Sequence, residues 1–302
     1  MLGQVRKADA TDTFRQCRRL DERIVLLGGF VDLVKAPEVF HFARTQIESG
    51  RKVVIANHNL HSLYLLRRDP AFREFYAKAE LIEVDSIPLI LWARLVGRRS
   101  RRFHRCTYLD WRDQFWQWVA RDDLRVFFVG GRPGVGETAV ERLRGRWPAI
   151  EVGVRHGYFD VESGSPENEE VLDAVRRFRP HILLVGMGMP RQEKWILANL
   201  HRLPTCAIFT VGGAFDYEAG AQTPCPRWLG QLGAEWLFRL ATNPRLFARY
   251  TVEPWSLVLP ALWDVWGAAK RQLLRRPARS PTDLRRSNRP LMRLAKYGRS
   301  RS

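Results

Sequence analysis

A chain of 302 residues, 45% hydrophobic and 27% charged, is long enough for one large α/β domain or two small ones, and reads as a globular protein with an ample core. Its formal net charge of +18 is unevenly spread: residues 267–302 hold twelve Lys or Arg against the single acid Asp283, and such a basic tail attracts polyanions, nucleic acid or anionic lipid headgroups. Cys17, Cys106, Cys206 and Cys225 form no Cys-x-x-Cys pair, the arginine-interrupted N-terminus is no signal peptide, and no run of about 18 apolar residues exists; these exclude structural zinc, secretion and a simple spanning helix, and point to a reducing compartment.

In chain order, residues 1–22 are polar and read as poorly ordered or loosely helical. Arg23 to Phe30 is a short apolar strand candidate ending in Gly28-Gly29, and Pro37 to Gly50 has helical spacing through Val39, Phe40, Ala43 and Ile47. Lys52 to Ala56 is an apolar strand leading into Asn57-His58-Asn59, Phe72 to Ala79 a helix, and Leu81 to Val84 a strand that delivers Asp85-Ser86. Asp110 to Arg121 is aromatic-rich and helical. Arg125 to Val129 is a strand running into Gly130-Gly131-Arg132-Pro133-Gly134-Val135-Gly136, followed by a helix over Thr138 to Arg146. Ile150 to Val154, Ile182 to Val185 and Cys206 to Val211 are further strands, with a helix over Val171 to Phe178. This alternation predicts a Rossmann-like parallel sheet with helices on both faces over residues 23–222.

The central stretch is His181 to Trp195. A continuous apolar strand ends in Gly186-Met187-Gly188, Pro190 suits a first helical turn, and Arg191, Gln192, Glu193 and Lys194 follow. Ligands of open α/β sheets bind at such carboxyl ends. The Gly130 to Gly136 loop could hold a phosphate on free amides, although it is neither a P-loop nor a Gly-x-Gly-x-x-Gly in register. There is no Asp-x-Asp, no His-Glu-x-x-His and no ligand spacing among the seven histidines, so no metal and no cofactor are expected. An enzyme that releases a diphosphate without Asp-x-Asp needs another cation, and the planar fork of arginine matches phosphate oxygens; candidates are Arg227, Arg239, Arg245 and Arg249.

Beyond Gln222 the texture changes. Pro224, Pro226, Trp228, Trp236, Pro244 and Trp255 sit among arginines, and no further strand appears. From Trp255 to Leu274 an apolar face runs through Trp255, Leu259, Leu262, Trp266 and Leu273, with Pro260 expected to kink it. Tryptophans beside a basic stretch suit a membrane interface; the plainer alternative is a C-terminal helix packed on the core. The expected division is a polar segment 1–22, a core 23–222, a helical membrane-associating appendage 223–274 and a basic, disordered tail 275–302.

Several stretches together resemble the WecG/TagA/CpsF glycosyltransferases over roughly residues 25–252: Phe127 to Val135, Arg155-His156-Gly157-Tyr158-Phe159, Asn168-Glu169, Gly186 to Trp195, Gly212-Gly213-Ala214-Phe215-Asp216 and Glu235 to Leu240. The resemblance implies an inverting transferase that moves a hexosyl, N-acetylmannosaminyl or mannosaminuronyl group. The donor would be a UDP-sugar and the acceptor a polyprenyl-diphosphate-linked glycan. The enzyme would sit peripherally on the inner face of the cytoplasmic membrane and serve exopolysaccharide or another surface polysaccharide. It places the catalytic base on Asp85, where Ser86 replaces the usual glycine. It places substrate contacts on Asn57, Arg105, Gly130, Gly131, Gly134, His156, Tyr158, Gly186, Gln192, Glu193, Gly213, Asp216, Arg239, Arg245 and Arg249. Ile55, Tyr108 and Leu246 depart from the family pattern.

The same resemblance implies a C-terminal segment that helps close the site. Arg239, Arg245 and Arg249 are therefore expected at the carboxyl edge of the sheet, facing the departing diphosphate. A homo-oligomer is compatible with all of this. Two rivals are a nicotinamide-dependent oxidoreductase using the Gly130 loop, with Glu151 near the ribose-acid spacing, and a nucleic-acid binder using the tail. The wrong loop register weighs against the first, and no nucleic-acid partner is expected.

Overall fold

The computed structural model describes residues 23–226, 229, 235–243 and 246–274. Its centre is a six-stranded, all-parallel sheet ordered β4-β3-β8-β7-β5-β6, built from β3 (Val53–His58), β4 (Leu81–Val84), β5 (Arg125–Gly130), β6 (Glu151–Arg155), β7 (Ile182–Gly186) and β8 (Ala207–Thr210). The four inner strands β3, β8, β7 and β5 are continuous Val, Ile, Leu and Phe runs because both their faces are covered. Against one face pack α1 (Ala36–Glu48), α5 (Tyr108–Arg121), α6 (Val135–Arg146) and α9 (Ala214–Glu218), through Phe42, Phe115, Trp116, Leu143 and Phe215. Against the other lie α3 (Pro70–Lys78), α7 (Pro166–Phe178) and α8 (Arg191–Asn199), through Phe72, Phe75, Leu172, Trp195 and Ile196. The expected parallel α/β sheet is present.

Three details differ from the sequence expectations. Arg23 to Phe30 is not one strand but the start of a separate antiparallel hairpin, β1 (Arg23–Leu26) and β2 (Gly29–Asp32), turned at Leu27 and Gly28, both with positive φ. Two four-residue strands around a tight turn present one unbroken apolar run to a pattern search. The hairpin finishes the β4 edge: the buried Asp32 accepts from Ile82 N at 2.8 Å, occupying an edge amide that would otherwise be free. Three further helices were not expected, α9, α2 (Leu60–Arg68) and α4 (Ile87–Leu95), the last apolar almost all round and so without readable periodicity. The run from Trp255 is not one helix with Pro260 inside it. A 3₁₀ turn, Glu253–Leu257, passes into α12 (Val258–Leu274), so the proline lies in the first α-turn, where it breaks no helical hydrogen bond.

Between sheet and α12 run α10 (Glu235–Thr242) and α11 (Phe247–Thr251). Helix α12 returns to the N-terminal hairpin. Asp264 Oδ2 accepts from Leu27 N at 2.8 Å and from Trp92 Nε1 at 2.9 Å, and Arg271 donates to Val96 O at 3.1 Å. Leu257, Ala261 and Ala268 pack with Ile24, Leu27 and Leu89, at the spacing of one helix face. The opposite face, Leu259, Leu262, Trp263, Trp266 and Leu273, is 59–69% exposed, and Leu91 and Leu95 of the adjacent α4 are exposed with it. Among the described residues no helix is long and apolar enough to cross a membrane. The expected segment 1–22, Arg227, Trp228, Arg245 and the tail 275–302 lie outside the described residues.

Candidate active site

At the carboxyl edge of the sheet the connections after β5 and β7 leave toward opposite faces, and so do those after β3 and β8. Such switch points open crevices. The first crevice is a cleft of about 1110 Å³ lined by Gly131, Arg132, Tyr158, Gly186, Gly213 and Asp216, with Thr242 and Asn243 on its rim. Its floor is main chain. A Cβ on Gly130 would meet Gly186 O at 2.3 Å, and one on Gly186 would meet Gly212 O at 2.4 Å, so neighbouring strand ends approach with no room for a side chain. At this floor Gly131 N donates to Gly186 O at 3.2 Å and Gly157 N to Gly131 O at 2.9 Å. Gly134, in the left-handed region, starts α6, and no side chain caps that helix, whose first-turn amides suit an anion.

The second crevice holds Asp85. It sits just past β4, with its amide donating to His58 O at 2.9 Å, and Ser86 rather than Asp85 takes the cap position of α4. The segment Arg105–Thr107 runs beside the strand end, Cys106 N donating to Val84 O at 2.8 Å. Burial pushes the Asp85 carboxyl up to about 6; Arg239, Arg105 and the Thr107 hydroxyl pull the other way, and Glu235 adds to the rise. Glu235 joins two cations: Arg105 Nη2 donates to its Oε2 at 2.8 Å and Arg239 Nη2 to its Oε1 at 2.7 Å, with Tyr217 Oη 3.3 Å from Arg239. Arg249 brings a third guanidinium group to the cluster, where Asp110 Oδ2 also lies 3.5 Å from Arg105 Nε and Glu253 acts on Arg249; the forked geometry of these groups suits phosphate oxygens.

Asp85 borders two cavities. One, of about 180 Å³, is the more covered and more polar of the two, lined among others by Asn57, Glu83, Trp111, Tyr217, Arg239 and Arg249. It shares Gly188, Gly213 and Gln222 with the glycine-floored cleft. The other, of about 250 Å³, opens outward past Leu60, Ile87, Pro88, Trp236 and Pro254. His61 on that wall hydrogen-bonds Glu253 at 2.6 Å and so ties α2 to the returning chain. The chamber therefore adjoins the cleft on one side and, through Asn59, Asp85, Arg239 and Arg249, the apolar mouth on another.

The residues singled out in the sequence fall into four groups. Gly131, Tyr158, Gly186, Gly213 and Asp216 line the cleft, and Gly130 and Gly134 shape it from beneath and behind. Asn57, Asp85, Arg105, Arg239 and Arg249 meet at the second crevice, with Asn57 Nδ2 donating to Thr210 O at 2.8 Å. Gln192 borders the chamber but is committed to holding it: Oε1 accepts from Gly188 N at 3.2 Å and Gly212 N at 3.3 Å, while Nε2 donates to Glu193 Oε1 at 2.8 Å. Glu193 is buried behind it with its carboxyl pushed up to about 8, and His156 keeps its Nδ1 covered beside the cleft rather than on its lining. Arg245 is outside the described residues.

Among the described residues no group of three His, Cys, Asp or Glu is placed to hold a metal. Sequence reasoning missed Glu83, Trp111, Tyr217, Glu235 and His61. Only Glu83 left a signal, an acid inside the apolar strand Leu81-Ile82-Glu83-Val84, two residues before Asp85.

A family model described as "Glycosyl transferase WecG/TagA/CpsF family" matches residues 24–271. Two curated relatives come from Staphylococcus aureus strains MRSA252 and NCTC 8325 / PS 47, each named N-acetylglucosaminyldiphosphoundecaprenol N-acetyl-beta-D-mannosaminyltransferase. Each is 26% identical over 204 residues, covering 64% of this chain and 78% of the relative.

Proposed function

The chain belongs to the WecG/TagA/CpsF glycosyltransferase family, and on that premise we propose that it transfers a sugar, with inversion, from a UDP-sugar to a polyprenyl-diphosphate-linked glycan in cell-surface polysaccharide assembly. The observation that carries the proposal is Asp85, a covered carboxyl at the junction of a polar chamber and an apolar-mouthed slot, facing Arg105, Arg239 and Arg249. The glycine-floored cleft takes the nucleotide, whose phosphates approach main-chain amides where no side chain intervenes. The sugar lies in the chamber, and the acceptor enters from the apolar mouth, which suits a lipid-linked diphosphate.

Asp85 removes the proton of the acceptor hydroxyl as that oxygen attacks the anomeric carbon from the face opposite the phosphate. The bond from the anomeric carbon to the phosphate oxygen breaks, and UDP leaves with the electron pair. Developing charge on the diphosphate is met by Arg239, Arg249 and loop amides, without a metal. A carboxyl near pH 6 suits this role: it is ionised at neutral pH yet more basic than an exposed aspartate.

The exposed Leu and Trp face of α12, with Leu91 and Leu95 of α4, lies against the cytoplasmic face of the membrane, and the basic tail adds attraction to anionic lipid. The test is UDP release from a panel of UDP-sugars in excess EDTA. The acceptor is an N-acetylglucosaminyl-diphospholipid, the class named for the Staphylococcus relatives, and the product is identified by mass spectrometry. Transfer in EDTA is expected. Activity that requires added Mg²⁺ or Mn²⁺ would overturn the metal-free part, and no transfer from any UDP-sugar would overturn the whole.

A further inference from the structure

The chamber between the nucleotide cleft and Asp85 has a floor that the mechanism above leaves unused. The chamber is about 180 Å³, far smaller than the 1110 Å³ cleft it adjoins. Its lining includes Glu83 and Trp111, each only 3% exposed. Glu83 stands two residues before Asp85, so strand alternation turns both carboxyls to the same face of the sheet. Trp111 comes from the first turns of α5, with its ring packed edge-on against Tyr108 and Phe40.

Glu83 Oε1 and Trp111 Nε1 both lack a hydrogen-bond partner. Folded proteins satisfy nearly all buried polar atoms, so two orphans on the wall of one cavity mark the place where a ligand group completes the bonding. We propose that Glu83 and Trp111 form the recognition floor for the transferred sugar, accepting an uncharged polar substituent, hydroxyl or acetamido, and rejecting a carboxylate. The proposal rests on the nucleotide-sugar reading of the site.

The chemistry of the pair selects the class. An indole N–H only donates, so the ligand atom opposite Trp111 is an acceptor. Burial, together with the charge of Asp85, holds the Glu83 carboxyl well above its usual range and so favours the protonated form, which can donate as well as accept. A hydroxyl or amide oxygen satisfies both. A uronate carboxylate would bring a second negative charge into the covered space beside Asp85. Position agrees: Gly188, Gly213 and Gln222 are common to chamber and cleft, and Asp85 is on the far side, so a sugar hung from a bound diphosphate reaches this floor beside the base.

The experiment measures affinity by calorimetry for UDP, UDP-N-acetylglucosamine and UDP-glucuronate in the wild type and in Trp111→Phe, Glu83→Leu and Glu83→Gln. Phenylalanine keeps the ring packing and removes only the donor. Trp111→Phe and Glu83→Leu are expected to weaken UDP-N-acetylglucosamine about tenfold while leaving UDP unchanged, the scale of one buried hydrogen bond. Glu83→Gln, which donates and accepts without charge, keeps the affinity for the N-acetyl sugar. If all three variants bind both sugar nucleotides in the wild-type ratio, the orphans serve a buried water and the inference is wrong. Thermal unfolding reports whether Trp111→Phe folds; if it does not, the two Glu83 variants decide. Failure of the wild type to bind UDP counts against the nucleotide-sugar reading alone. The floor is then read by saturation-transfer NMR on free N-acetylmannosamine, where loss of the methyl signal in Glu83→Leu supports it and retention overturns it.

Discussion

The two crevices on the carboxyl edge are made of different material. The β5–β7 cleft is main chain, with glycines stacked across strand ends so that neighbouring carbonyls lie where a Cβ would be. The Asp85 chamber is side chains, converging from β3, β4, the segment before α5, and the returning α10 and α11. A main-chain cleft needs only short turns between consecutive elements and binds whatever carries phosphates. A side-chain chamber needs distant parts of the chain to arrive together, and it is where a choice of sugar and acceptor can be written.

That contrast is tested hardest at Asp85. Asp85→Asn should lose about 10²- to 10⁴-fold in turnover, the usual worth of a general base, while UDP affinity in the cleft survives. Wild-type turnover should rise with pH through about 6 as the carboxyl ionises, and the Asn variant should lack that limb. Stability should move the other way. The folded pKa lies above the unfolded 3.8, so the native state holds the extra proton, and stability falls as pH climbs from 3.8 through about 6. Two pKa units correspond to at most about 3 kcal/mol. Asp85→Asn should therefore melt higher than the wild type at pH 7, and a lower melting temperature would contradict the desolvated carboxyl.

Next in size is Arg239→Ala. Losing one preorganised cation at a departing diphosphate should cost about 10²-fold in kcat, more than it costs in UDP affinity. An effect on KM alone would move Arg239 from catalysis to simple binding.

The main-chain side is broken by Gly186→Ala. Its added methyl meets Gly212 O, and overpacking of this kind costs about 1–3 kcal/mol, to be read from urea unfolding together with loss of UDP binding. Loss of stability with normal UDP affinity would mean that the glycine stack is needed by the sheet and not by the nucleotide.

Smaller again is Asp264→Ala, which strands Leu27 N and Trp92 Nε1 where α12 meets the hairpin. About 1–2 kcal/mol of stability should go, with turnover on a soluble acceptor little changed. The smallest effect on chemistry is deletion of residues 275–302. Transfer to a short, water-soluble acceptor should be unaffected, while binding to anionic vesicles should weaken by about 1 kcal/mol per basic residue that contacts the surface, less in high salt. Equal vesicle binding with and without the tail would leave the attachment to the α12 face alone.

How legible each region was in the sequence follows the same division. β3, β5, β7 and β8 were readable because a strand buried on both faces is an unbroken apolar run, and the glycines after them mark tight turns. The hairpin and α4 were not: one hides a turn inside an apolar run, and the other is apolar on too many sides to show a period. Asp85 was singled out through family resemblance; by residue type alone it was an aspartate after a strand. Glu83 and Trp111 look like ordinary members of a strand and an aromatic helix until the cavity beside them is seen.

By itself the sequence determined the parallel sheet, the glycine-turned strand ends and the excess of basic residues in the tail, because each is set by neighbours within a few positions. Only the tertiary structure decided that α12 turns its Asp264 face to the N-terminal hairpin and its tryptophans outward. It also decided that Arg105 and Arg239 share Glu235, and that two unpaired polar atoms border the chamber of Asp85. Contacts between residues far apart in the chain depend on the closing of the whole fold, and no local pattern carries that information.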